Sequence, residues 1–228
     1  ESEQNLLSDR YLRFVRNSLV LASTAAVLTV VAAIALGFYQ RMRPGRSSAL
    51  AGYVARLGYA VPGGVIAVGL LVPFAAFDNA LDAWMRATFD VSTGLLVTGS
   101  IWLLVCAYMV RFLAAALGAY EGGQSLVHAN MDAASRSLGK GPLATLRWVH
   151  LPILTPSLLT AVLIVFVDVM KELPATLIMR PFNYDTLAVQ AFRLASDERL
   201  EGAAVPSLVI VAVGLLPVIL ICRQVGRH

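Results

Sequence analysis

The chain has 228 residues, of which 58% are hydrophobic and only 14% charged, with a formal net charge of +4. Its mean hydropathy is +0.73. Soluble domains carry about 25% charged residues, so this composition excludes an ordinary water-soluble enzyme or binding module. The cations flank apolar runs instead of forming a patch, which also argues against nucleic acid as a partner.

The apolar excess is blocked into long runs. Asn17 to Gln40, Leu57 to Phe77, Val91 to Val110, Leu151 to Val167 and Gly202 to Cys222 contain no Asp, Glu, Lys or Arg. A helix needs about 20 apolar residues to cross about 30 Å of hydrocarbon. The run at Leu151 is short, but extends to Leu173 if Asp168, Lys171 and Glu172 face protein or water. None shows the in–out alternation of a lipid-facing strand. The expected fold is therefore an all-α polytopic membrane protein with five transmembrane helices. The expected order is an interfacial lead-in over 1–16 and a transmembrane domain over 17–223. Its spans lie at roughly 18–39, 58–77, 91–117, 151–173 and 202–222. A polar loop covers 121–150.

Ser8 to Arg16 forms an amphipathic lead-in, and the first span is rich in Ala, Val and Thr. Beginning at Glu1 without Met, the chain reads as a processed product or a piece of something longer. The second span carries Pro62, Gly63, Gly64, Gly69 and Pro73, residues that allow close helix packing and a kink or serve in gating. The third holds Cys106 and reaches Arg111, expected at the cytoplasmic boundary, snorkelling or paired within the bundle. Cys106 and Cys222 both lie within spans, so no disulfide is expected.

Charge placement sets the orientation. Arg41, Arg43, Arg46 and Arg56 fill the first connection, Arg136, Lys140 and Arg147 the third, and Arg223 and Arg227 the C-terminus. The second connection offers Asp78, Asp82 and Asp90 against Arg86. Lys and Arg accumulate on the cytoplasmic side, which places the loop 121–150 and the C-terminus there and the N-terminus outside. Arg10, Arg13 and Arg16 sit awkwardly outside, and a missing preceding span would explain an odd helix number.

Catalytic chemistry is missing. Gly139-Lys140-Gly141 lacks the Ser or Thr that a phosphate loop needs after Lys, and Ala134 stands where its first Gly belongs. Ser137 to Lys140 fits S-x-x-K without companion motifs. His128, His150 and His228 are isolated, which at a membrane edge reads as interfacial positions instead of metal ligands. No nucleophile, metal site or cofactor is expected, and ATP hydrolysis is not expected of this chain.

The loop is the informative segment. One helix is expected over Gln124 to Leu138, ended by Gly139 as a C-cap residue able to take positive φ. Gly141-Pro142 prevents continuation, and a second short helix, Leu143 to Val149, leads to Leu151-Pro152. Such an elbow fits a partner's groove as a rigid knob. It equally fits an amphipathic loop resting on lipid headgroups.

These residues resemble the signature of membrane subunits of binding-protein-dependent ABC importers, E-A-A-x3-G-x9-I-x-L-P. This chain reads Ala133, Ala134, Ser135, then Gly139, then Val149-His150-Leu151-Pro152, with the full spacing. Ala133 takes the place of the motif Glu, and the acid stands one residue earlier at Asp132. Beyond the loop, NSLVLAS, LGYAVPG and FVDVMKELPATLIMRPFNYDTLAVQAF are similar to ferric-iron importer permeases, in particular to the C-terminal half of chains that carry two. The resemblance implies a MetI-like permease fold in the bacterial inner membrane. It also implies that Asp132, Ala133, Ala134, Ser135, Gly139, Leu151 and Pro152 couple to an ABC ATPase subunit carrying ATP and Mg. Other implied partners are an extracytoplasmic solute-binding protein, a second permease half (fused or identical) and the lipid bilayer. Related permeases for thiamine and other solutes share the architecture.

Asp168, Lys171 and Glu172 lie at i, i+3 and i+4 and are expected to share one helical face before Pro174 breaks the helix. Ionisable groups at membrane depth face a cavity or each other, so these four residues line a translocation path or gate, or form a structural ion pair. The rival reading is a transporter driven by an ion gradient, which would need buried carboxylates near the bilayer midplane. A non-transporting membrane scaffold is the other.

Overall fold

The computed structural model describes residues 9–225. Helices follow in the order α1 (Asp9–Met42), α2 (Arg46–Ala60), α3 (Gly63–Phe89), α4 (Ile101–Gln124), α5 (Ala129–Ser137) and α6 (Pro142–Thr145). A single π-helical turn, Leu146–His150, leads into α7 (Leu151–Met170), which is followed by α8 (Pro174–Met179), α9 (Leu187–Ser196) and α10 (Leu200–Val225). No strand occurs among the described residues. The fold is all-α.

The helices α1, α4 and α7 pack on one another as a central trio. Their shared core contains Leu21, Ala22, Ala25, Leu103, Leu104, Tyr108, Leu117, Leu154, Ala161 and Val165. Small residues on α1 let the helices approach closely, the usual solution where lipid supplies no hydrophobic drive between helices. Helix α2 lies on α4, α3 on α4 and α8, and α10 on α9 and α7. Outward-facing Val27, Val31, Val65, Val68, Val72, Leu159 and Leu208 remain exposed, as lipid-facing side chains must.

Four helical stretches among the described residues are long and apolar enough to cross a membrane: Asp9–Met42, Gly63–Phe89, Ile101–Gln124 and Pro142–Met170. The fifth expected span, 202–222, falls within α10, whose stretch Leu200–Leu215 is apolar. Boundaries shift for identifiable reasons. The described part of the expected lead-in, from Asp9, is the start of α1 and not a separate helix. The span expected at 58–77 runs from Gly63 to Phe89. Pro62 drives Val61 to an extended ψ of 131°, the conformation its ring imposes on a preceding residue, and so separates α2 from α3.

The span expected at 91–117 begins at Ile101, where the Ser100 hydroxyl accepts from the Leu103 N–H. Asp78 and Asp82, read as loop acids, belong to α3 instead. Asp78 accepts from the N–H groups of Val97 and Thr98, and Asp82 from those of Thr93 and Gly94. They fold the segment 91–100 back onto the helix end. The helix α7 stops at Met170, short of the expected 173.

In the N-terminal third of α1, Asn17 Nδ2 donates to the Asp185 carbonyl and the Leu187 N–H donates to Ser18 Oγ.

Candidate functional site

The polar loop does not contain one helix over Gln124 to Leu138. The helix α4 absorbs the chain to Gln124, residues 125–128 turn, and α5 covers Ala129–Ser137. Gly139 has φ +73°, the left-handed conformation that favours glycine. Its N–H donates to the Arg136 carbonyl and that of Lys140 to the Ser135 carbonyl, the paired closure of a Schellman motif. A bond between Ser135 Oγ and Thr145 Oγ1 at 2.8 Å then ties α5 to α6.

Asp132 is buried beneath this elbow. Its Oδ2 accepts from Arg41 Nε at 2.8 Å, and Arg41 Nη2 lies 2.7 Å away. The same Nη2 donates to the Val127 carbonyl at 2.8 Å. The other oxygen, Oδ1, lies 2.7 Å from His150 Nε2. A carboxylate only accepts, so Nε2 carries the proton. Burial alone would raise the Asp132 pKa, but the hydrogen bonds from His150 and Arg41 outweigh it and hold the carboxyl below its ordinary value.

His150 is wholly buried with Phe38 edge-on to its ring at 5.3 Å, which corrects its reading as an interfacial residue. The π turn Leu146–His150 brings it inward. Pro152 follows within the first turn of α7 and has no N–H to return to the preceding turn.

Ala133 and Ala134 are exposed, Ser135 is buried, Leu151 is half-buried and Pro152 exposed. Around them the loop turns Met131, Leu138, Leu143 and Trp148 outward, with Leu138 and Leu143 each 77% exposed. The loop therefore turns an ion-paired carboxylate inward and exposes apolar side chains beside the cations Arg136, Lys140 and Arg147. A cleft of about 390 Å³ is lined by Arg41, Met42, Val127, Ala129, Asp132 and Arg136.

The second set lies at the far end of α7, about 30 Å away by the helical rise over its 20 residues. Asp168, Lys171 and Glu172 do not share a helical face, because Lys171 is already the C-cap. Asp168 and Lys171 pair at 2.9 Å, with Lys171 largely exposed. Glu172 instead turns inward, its Oε2 3.2 Å from Arg111 Nε. Arg111 Nη1 donates to the Val61 carbonyl at 2.9 Å.

Arg111 stands ten residues into the 24-residue α4 and is paired within the bundle, one of the two arrangements expected of it. Gly63 fits beside the pair because it lacks a side chain: a Cβ there would sit 2.3 Å from Glu172 Oε1. Pro174 opens α8, where the Ala175 N–H reaches Glu172 Oε1 at 3.4 Å and Thr176 bridges Tyr108 and the Glu172 carbonyl. Two helix breaks, α2–α3 and α7–α8, thus meet at one ion pair. Sequence reasoning missed Arg41, His150 and Gly63 as members of these sites. The lone charge of Arg111 within an apolar run was the available signal for the last pair.

No protein-family model matches the chain. It is 27% identical over 215 residues to the Fe(3+)-transport system permease protein FbpB 2 of Haemophilus influenzae, covering 92% of this chain and 38% of that protein. It is also 27% identical over 157 residues to PhnV of Salmonella typhimurium, named for 2-aminoethylphosphonate transport, covering 69% and 53% respectively. The chain thus spans between about a third and a half of these curated relatives. Among solved structures, it resembles a bacterial ABC transporter involved in import of the acidic polysaccharide alginate, with TM-score 0.74 and 13% identity over 97% of this chain and 81% of that one. A second is the bacterial alginate ABC transporter in complex with an alginate pentasaccharide-bound periplasmic protein, with TM-score 0.77 and 12% identity over 97% and 80%. The chain, with four described helices long and apolar enough to cross a membrane, is thus similar in sequence to transport-system permease proteins and shares the fold of solved bacterial ABC importer chains.

Proposed function

We propose that this chain is the membrane-spanning part of an ATP-driven importer in the bacterial inner membrane, with ferric iron as cargo. The observation that carries the reading is the elbow of α5, Gly139 and α6. It is braced from within by the Asp132 ion pair and exposes Leu138, Leu143 and Trp148, side chains that a knob seated on an ABC ATPase subunit would bury. ATP and Mg would be bound by that subunit. The cations Arg41, Arg43, Arg46, Arg56, Arg136, Lys140 and Arg147 all lie on the elbow's side of the sequence pattern, which supports a cytoplasmic loop and C-terminus. An extracytoplasmic binding protein would deliver cargo at the end formed by 91–100 and 180–199, and a second permease half, fused or identical, would complete the path.

Asp168, Lys171, Glu172 and Pro174 are assigned to that path or its gate, where the Arg111–Glu172 pair braces two helix breaks. The coupling set is Asp132, Ala133, Ala134, Ser135, Gly139, Leu151 and Pro152. A phosphonate cargo is the second reading, favoured by equal identity to PhnV. The test is uptake by proteoliposomes holding the full-length protein with its co-expressed ATPase and binding protein. ATP-dependent accumulation of Fe(III) but not 2-aminoethylphosphonate is expected. The reverse preference would reassign the cargo, and uptake that ignores ATP but follows an ion gradient would overturn the importer reading.

A further inference from the structure

Resting on that functional reading, we infer that Asp132 and His150 are positioning residues. Through Arg41 they form an internal strut that makes the loop, α1 and the start of α7 move together, and they do not contact the ATPase. Asp132 stands beside the slot of an acidic motif residue, and its position in sequence suggests a surface contact. The geometry points the other way.

Both Asp132 oxygens are occupied from within the chain, by Arg41 and by His150, and its side chain is only 9% exposed. Its neighbours Ala133 and Ala134 hold the surface instead. The strut joins three segments far apart in sequence: the last turn of α1, the first turn of α5 and the final residue of the π turn. Arg41 also holds the Val127 carbonyl, so the turn that starts the loop is fixed by the same guanidinium.

A buried ion pair adds little net stability against an apolar replacement of the same shape, and its best-attested use is to fix register. Here the register fixed is that of the docking knob on the transmembrane trio. A force on α5 then reaches α1 through Arg41 and α7 through His150. Without the strut, the knob could turn on Gly139 and the 125–128 turn without moving either helix. Phe38 against the His150 ring closes the same corner with a shape contact.

The experiment compares Asp132→Asn, His150→Phe and His150→Gln in the reconstituted full complex, reading ATPase co-purification and solute transported per ATP hydrolysed. His150→Gln places an amide N–H near Nε2 and serves as the rescue variant. Asp132→Asn and His150→Phe are expected to retain the ATPase and to lower solute per ATP by about tenfold, within the range of site-to-site couplings. His150→Gln is expected to recover most of that loss. Loss of the ATPase from Asp132→Asn would make Asp132 a docking contact and overturn the inference. Unchanged solute per ATP in both disruptive variants, or no recovery in His150→Gln beyond His150→Phe, would overturn it too. Failure of the functional reading looks different, because the unmodified complex would then show no ATP-dependent uptake.

Discussion

Asp132 and His150, eighteen positions apart, meet at 2.7 Å as buried residues beneath the polar loop, whose Leu138 and Leu143 stay exposed. A loop between two spans has no bilayer in which to bury itself. This one is held by a carboxylate turned inward to a histidine and an arginine, leaving its outer face free.

The pH response follows from that pairing. The Asp132 carboxyl is held below its ordinary value, so it contributes stability that is fully present above the unfolded value of about 4. That contribution is lost as the pH falls through the lower folded value. Hydrogen exchange of residues 125–150, once corrected for intrinsic rates, should therefore show an acid step below about pH 4. In Asp132→Asn this acid step should disappear. A step that survives the substitution would place the titrating group elsewhere.

Gly139 tests the elbow. Its φ is +73° and no atom lies within 4 Å of the place a Cβ would take, so the cost of a side chain there is conformational and not steric. Gly139→Val should cost about 1–2 kcal/mol locally and abolish most uptake while leaving membrane insertion intact. Gly139→Asn should cost less, because Asn visits the left-handed region more readily. Equal uptake by Gly139→Val and the parent chain would remove the elbow from the coupling route.

Glu172 and Arg111 test the far end of α7. Glu172→Ala strands a half-buried guanidinium and should destabilise the protein by about 3–5 kcal/mol, read as a fall in melting temperature in detergent. Gly63→Ala forces a methyl to within 2.3 Å of Glu172 Oε1 and should cost about 1–3 kcal/mol by overpacking. Because the two changes act on one contact, the double variant should cost less than their sum. Strict additivity would separate Gly63 from the pair.

How far the sequence could carry this reading depended on the kind of signal. Long uncharged runs made helices legible at once, and the Gly139 conformation followed from its place before Lys140-Gly141-Pro142. Span limits were harder because Asp78, Asp82 and Glu121 look like loop residues. Each sits on a helix, and the two aspartates draw their partners from the chain folding back, which no local pattern announces. The coupling of Glu172 to Arg111 was hidden because the i, i+4 rule assumed that α7 continued past Lys171. The Asp132 strut was hidden for a different reason: its partners are 91 and 18 positions away, and only packing of α1 on α7 brings them together.

Whether the apolar face of this loop seats an ATPase decides the rest, and a purification answers it. The full-length protein would be isolated from native membranes in mild detergent, beside Leu138→Glu and Leu143→Glu variants. Both residues are 77% exposed, so charge there should leave the fold intact and its stability within about 0.5 kcal/mol of the parent. A stoichiometric ABC ATPase should accompany the parent protein and be lost from both variants. Equal recovery of the ATPase with both variants would refute the seating, as would a parent protein that purifies alone and still transports under ATP depletion.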